Sequence, residues 1–157
     1  MNFKAIFSVD EALQKLRNYC AYQERCHMDV VQKLRDMGMI DVVIDQIVVS
    51  LITDNYLNEE RFALSFARGK FNQKHYGKIR IRRELKRRNI HSKLIQNALD
   101  QIDSNDYYES FEALATKKWQ SLKNDKDLVK KKKFVDYLLY RGWEMELIYD
   151  KLQNLSN

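Results

Sequence analysis

Cys20, Cys26 and His27 offer metal ligands, His75 and His91 offer proton-transfer groups, and Glu59 with Glu60 offers carboxylates for acid–base work. None of these is arranged for that work. A structural zinc site draws on four ligands in paired short spacings, whereas two cysteines separated by five residues and one adjacent histidine supply three. His75 and His91 have no carboxylate or thiol cluster beside them in sequence. Glu59 and Glu60 follow Asn58 as first-turn acids that complement a helix dipole. The chain has four glycines, which form neither a phosphate-binding loop nor a nucleophile elbow. The reading is therefore not an enzyme, with no metal and no cofactor. Both cysteines are expected as reduced thiols.

Charge is the chemistry the sequence does concentrate. Residues 1–60 hold six basic and ten acidic side chains, whereas residues 61–93 hold twelve basic and one acidic. The formal net charge of +6 conceals this asymmetry. Its densest part is Lys78 to Arg88, KIRIRRELKRR. At 100° per residue Ile81 and Leu85 fall on one side, and Arg80, Arg82, Arg83, Lys86 and Arg87 spread over the opposite arc. Helix propensity does not explain the sign, because glutamate at some of these positions would serve as well and form i, i+4 pairs. A polyanionic or acidic partner is the expectation. Candidate contacts are Arg80, Arg82, Arg83, Lys86 and Arg87, flanked by Lys74 and Lys78. A second run, Lys130, Lys131, Lys132 and Lys133, either continues this patch as a basic track or is a solvated helix start.

The elements that must carry these residues come from a pattern written three times. Leu34, Leu85 and Leu138 are each followed four residues later by Gly38, Asn89 or Gly142, then by Met39, Ile90 or Trp143. A residue tolerant of positive φ, then an apolar residue that folds back on the leucine, makes a left-handed helix C-cap. Beyond each cap, Ile44, Val48 and Leu51, then Ile95, Leu99 and Ile102, then Ile148, Leu152 and Leu155 mark one helix face. The caps lie 51 and 53 residues apart, a period suited to three helices.

The expected fold is all-α: an elongated, right- or left-curving array of three tandem three-helix repeats, about nine helices. Residues 1–9 form an N-terminal segment, and the repeats span 10–54, 55–103 (the basic one) and 104–157. Helices are placed at 10–24, 29–37, 41–53, 58–73, 77–88, 92–103, 105–122, 127–141 and 144–155. Asp10, Asp29, Asp41, Asn58, Ser92 and Asp127 are the expected N-terminal acceptors. Absence of proline and scarcity of glycine agree with helices. Repeats of this kind should spread burial over three small stacked cores. The longest apolar stretch, Val42 to Ile52, is broken by Asp45 and Gln46 and is too short to span a bilayer. No export signal is read at the N-terminus, so the expectation is a cytoplasmic monomer without membrane contact.

YLNEERFA at 56–63, KHYGKIRIRREL at 74–85 with KRRNI following, and HMDVVQKLRDMG at 27–38 together resemble the RecX family. The resemblance runs from about Tyr19 to Leu155, and Asn89 stands where the family usually has glycine. It implies an array of three-helix repeats that binds the RecA–DNA filament along its groove and inhibits its ATPase and strand exchange. It thereby implies a part in DNA repair and the SOS response. Single- or double-stranded DNA is a possible direct contact. Two other classes stay open: a general nucleic-acid-binding helical module, and a protein-only adaptor with a basic face. Tyr76 is either exposed for stacking or packed outside the basic helix, with Gly77 making a tight turn; packing is preferred. Trp119 and Trp143 are read as core residues.

Overall fold

The computed structural model describes residues 6–157, and among these the chain is nine helices without a strand. They are α1 (Val9–Tyr22), α2 (His27–Asp36), α3 (Asp41–Thr53), α4 (Glu59–Lys74), α5 (Lys78–Arg87), α6 (Ser92–Asp100), α7 (Ser104–Ser121), α8 (Asp127–Tyr140) and α9 (Met145–Leu155). The main helix-on-helix packing stays within successive triplets, as the fifty-residue period requires.

The repeated cap is the same object three times. Gly38, Asn89 and Gly142 take φ of +79°, +57° and +92°. Met39, Ile90 and Trp143 donate their N–H to the carbonyls of Leu34, Leu85 and Leu138 at 3.1, 3.2 and 3.1 Å. The cap residues themselves donate to Arg35, Lys86 and Leu139 at 2.9, 3.0 and 2.9 Å. This double bond pattern satisfies the end carbonyls of α2, α5 and α8, and the three leucines are fully buried beneath it. Asn55 and His75 also adopt positive φ, at connections the repeat pattern did not mark.

N-terminal capping differs from expectation at several helices. Asn58 caps α4 by accepting from Arg61 N–H at 2.9 Å. Asp29 works from the third position, accepting from the Cys26 N–H at 3.1 Å. Ser8, not Asp10, caps α1, and His91, not Ser92, caps α6. Asp41 and Asp127 occupy first helical positions without a cap bond, and Asp103 caps α7. A carboxylate already inside the first turn still answers the helix dipole, which is why composition alone misplaces the cap by one or two residues.

Burial is organised in two cores where three were expected. One gathers α1–α3 around Leu16, Leu34, Ile47 and Leu51. The other runs unbroken through the second and third repeats. Trp143 causes the merger. It fills the place that Met39 and Ile90 hold in the other repeats, but its ring reaches Tyr107 at 4.6 Å and Phe111 at 5.3 Å between centroids, and Phe71 lies 5.8 Å beyond Tyr107. Its indole N–H donates to the His75 carbonyl at 3.1 Å, so the largest buried side chain is satisfied across the repeat boundary. Trp119 is half-buried and packs edge-on to Phe134 at 5.5 Å.

Candidate nucleic-acid interface

The basic helix α5 starts at a docking seam. Its first turn carries no acidic side chain, yet its free N–H groups are satisfied from outside the helix. Gly77 N–H donates to the Arg141 carbonyl at 2.9 Å and Ile79 N–H to the Gly142 carbonyl at 3.1 Å. Lys78 N–H donates to the Tyr107 hydroxyl at 2.9 Å, and that hydroxyl donates to the Glu144 carboxylate at 2.7 Å. The carbonyl end of α8 thus meets the amide end of α5, a favourable opposition of helix dipoles. Burial, together with the Glu144 carboxylate, pushes the Tyr107 phenol far above its ordinary range, so it remains a neutral donor.

The two glycines are there because backbones meet. A Cβ on Gly77 would lie 2.5 Å from the Gly142 carbonyl carbon and 2.7 Å from Trp143 Cα, with the Gly142 oxygen closer still. A Cβ on Gly142 would lie 2.5 Å from Arg80 N and would collide with Arg80 Cβ. Gly77 has φ of −77°, so close approach, and not the tight turn expected from sequence, explains it. The left-handed residue here is His75, at φ +57°. Tyr76 packs against the core, with the Arg80 guanidinium 3.9 Å from its ring centroid.

The candidate cations fall into three groups. Arg80 is in the seam: its side chain, 16% exposed, lies 3.5 Å from Glu84, stacks near Tyr76 and Tyr140, and donates to the Tyr140 carbonyl at 3.2 Å. Arg83, Lys86 and Arg87 are exposed on the outer arc, opposite the fully buried Ile81 and Leu85, and form no ion pair among the described residues. Beside them Arg82 is half-buried and donates to the Gln96 side chain at 2.7 Å. Lys74 is exposed at the end of α4, and the Lys78 ammonium sits 4.9 Å from the Tyr107 ring centroid.

The second run is neutralised locally. Lys131 pairs with Asp127 at 3.2 Å, Lys132 with Asp136 at 2.6 Å and Lys133 with Asp125 at 3.2 Å. Lys130 lies over the Trp119 ring at 3.9 Å. The hydrogen bond to Asp136 raises the pKa of Lys132. Because α8 meets α5 through its C-terminal end, these lysines stand about 10–15 Å away along the α8 axis, from a rise of about 1.5 Å per residue.

The cysteines are buried in different cores, Cys20 in the first and Cys26 in the second, and both are free. Burial raises both thiols, Cys26 to about 11, which opposes thiolate chemistry. Among the described residues no cluster of three or more histidine, cysteine, aspartate or glutamate side chains is placed to hold a metal ion. His27 instead faces Glu59, its N–H donating to that carboxylate at 3.3 Å, while Arg61 Nε meets Glu24 at 2.6 Å. Sequence reading had not assigned this polar seam between the first and second repeats, nor the link from Lys78 through Tyr107 to Glu144. Partners 29 to 37 residues apart leave no local pattern.

Fold and surface together define a helical-repeat protein whose middle repeat presents a cationic helix face, with Arg83, Lys86 and Arg87 unpaired among the described residues. Two family models match the chain, "RecX, second three-helix domain" over residues 58–99 and "RecX, third three-helix domain" over residues 105–152. The chain belongs to the RecX family. It is 26% identical over 148 residues to Regulatory protein RecX of Bacillus cytotoxicus, covering 94% of this chain and 55% of that protein. Against Regulatory protein RecX of Bacillus cereus (strain AH820) it is 25% identical over 149 residues, covering 95% of this chain and again 55% of the relative. The chain therefore spans about half the length of these relatives. Among solved structures, a crystal structure of regulatory protein RecX superposes with a TM-score of 0.82 at 23% identity, over 93% of this chain and 73% of the other. RecX from Lactobacillus salivarius gives 0.79 at 25% identity, over 94% and 96%. Among the described residues no helix is long and apolar enough to cross a membrane.

Proposed function

We propose that this chain is a non-enzymatic regulator that binds the RecA–DNA filament along its groove as a monomer and inhibits the ATPase and recombinase activities of the filament. Through that inhibition it modulates DNA repair and the SOS response. Membership of a family whose relatives are named regulatory proteins supports a regulatory role. The observation that carries the interface is the outer arc of α5, where Arg83, Lys86 and Arg87 stand exposed without carboxylate partners. Unpaired cations on a rigid helix release counterions when they meet phosphates, so DNA within the filament is the contact they suit. Arg82, Lys74 and Lys78 flank them; Arg80 holds the helix against the third repeat. Lys130, Lys131, Lys132 and Lys133 take a secondary part, since each would first have to leave its present partner. A body several repeats long can touch more than one filament subunit, multiplying weak contacts through effective concentration.

The test is the single-strand-DNA-dependent ATPase rate of cognate RecA as this protein is titrated in. The expected result is inhibition that weakens as salt rises. An unchanged rate, under conditions where the protein binds DNA alone, would reject the regulator reading in favour of a general nucleic-acid-binding module. Absence of DNA affinity even at low salt would assign the basic face to an acidic protein partner.

A further inference from the structure

The first repeat carries an apolar surface that the fold does not need. On α3 the side chains of Ile44, Ile47 and Leu51 supply the buried face. On the opposite side Val42, Val49 and Ile52 are 64%, 61% and 45% exposed, and Ile40, the residue just before the helix, is 67% exposed. Val42, Val49 and Ile52 fall within one arc of about 80° at 100° per residue.

The repeat supplies its own control. Counting from the caps, Ile40 and Val42 correspond to His91 and Lys93 in the second repeat and to Glu144 and Glu146 in the third. Val49 and Ile52 correspond to Asp100 and Asp103, then to Gln153 and Ser156. The same fold thus tolerates polar residues at all four places twice over, and only the first repeat spends large apolar residues there. Scattered exposed apolar side chains need no explanation, but a contiguous stripe with none at the equivalent places does.

Charge narrows the occupant. α3 contains Asp41 and Asp45, both exposed, and no lysine or arginine. These carboxylates repel phosphates, so the face does not suit DNA. Parallel pairing with a second copy would set Asp41 and Asp45 of one chain beside those of the other, antiparallel pairing would set them beside apolar side chains, and in neither case does α3 supply a cation to answer them. The complementary surface is apolar and bordered by lysine or arginine.

We propose that the outer face of α3 is a protein-docking surface that seats an apolar, basic-rimmed patch on a recombinase subunit, a reading that rests on the filament-binding function above. The chain then divides its contacts: α5 meets phosphates and α3 meets protein, and the opposite charges of the two parts orient it on the filament.

The test is the double variant Val42→Lys, Val49→Asp. It installs residues that the second repeat already carries in the same helix, and it leaves the net charge unchanged. Anisotropy of the fluorescein-labelled chain is measured against a RecA–single-strand filament and, separately, against the oligonucleotide alone. Filament affinity should fall by about tenfold or more, the scale of a central apolar contact, while oligonucleotide affinity stays at the parent value. Parent-like filament affinity of the folded double variant overturns the proposal. If that variant fails to fold by circular dichroism, Ile52→Ser, the residue the third repeat carries at that place, puts the same question at the rim of the stripe. A parent chain that binds the oligonucleotide but not the filament removes the underlying function and this surface with it. Sedimentation showing a parent dimer that the double variant abolishes reassigns the face to a second copy, and likewise overturns the proposal.

Discussion

Arg83, Lys86 and Arg87 lack the carboxylate partners that Lys131, Lys132 and Lys133 have, and this sets up a decisive comparison. In one triple variant each α5 residue is replaced by alanine; in the other, each of the three lysines. Each phosphate neutralised contributes about 0.9 to the slope of log K against log salt on duplex DNA, and about 0.7 on single strands. Three contacts therefore contribute a slope of nearly 3 on duplex and about 2 on single strands. Between 50 and 200 mM salt that is roughly 40-fold and 20-fold in affinity. The α5 variant should lose this salt dependence. The lysine variant should lose much less, because each ammonium already has an aspartate at 3.2 Å or closer. Helix content and melting need to be checked in parallel, and the α5 variant should keep its stability to within about 0.5 kcal/mol, since no ion pair is removed. The assay is fluorescence anisotropy of labelled single- and double-stranded oligonucleotides across a potassium chloride series. Equal slopes for the two variants would refute the reasoning that local pairing decides which cations are available.

Gly142→Ala should cost clearly more than Gly38→Ala in urea unfolding. Both positions have positive φ, worth about 1–2 kcal/mol against alanine, but space around Gly38 is open whereas Arg80 occupies the space beside Gly142. Gly77→Ala has no φ penalty, so its loss combines the undocking of α5 from α8 with the poorer capping of alanine at the start of α5. For Tyr107, the folded-state pKa lies far above the unfolded value of 10.0, so both states keep the proton below pH 10 and its contribution is fully present there. Above pH 10 the unfolded state releases the proton first, and stability should fall with a limiting slope of about 1.4 kcal/mol per unit. Tyr107→Phe should flatten that alkaline limb while costing about 1–3 kcal/mol at neutral pH through the unsatisfied Lys78 N–H and Glu144 carboxylate. Cys20 and Cys26, buried and with raised pKa, should resist alkylation in the native protein and react only as it unfolds, which a thiol reagent followed with and without denaturant reads directly.

The helices were legible because each depends on residues within one turn or two. The leucine, the residue of positive φ and the apolar residue after it specify a C-cap through bonds that span at most five residues, and all three formed as the pattern implies. The cationic arc of α5 was legible for the same reason, being a matter of 100° steps and the anchors Ile81 and Leu85. The cap positions at α1 and α6 slipped by one or two residues because Ser8 and His91 cap from just outside the helix, where Asp10 and Ser92, residues of capping type, lie just inside it. The apolar stripe of α3 was present as letters but became meaningful only through its exposure in the folded chain, since Val42 and Val49 read equally well as core residues.

What the sequence determined by itself is therefore the repeat, its nine helices among the described residues and the sign of its middle third, all short-range or additive properties. Tertiary structure decided which charges are available and how the repeats join. Arg80 left the candidate interface for a seam with Tyr140 and Glu84, the Lys131–Lys133 run met aspartates, and two glycines 65 residues apart proved to be one close contact. These outcomes depend on where distant backbones come to rest, and the indole of Trp143, which links the second and third repeats, fixes that position.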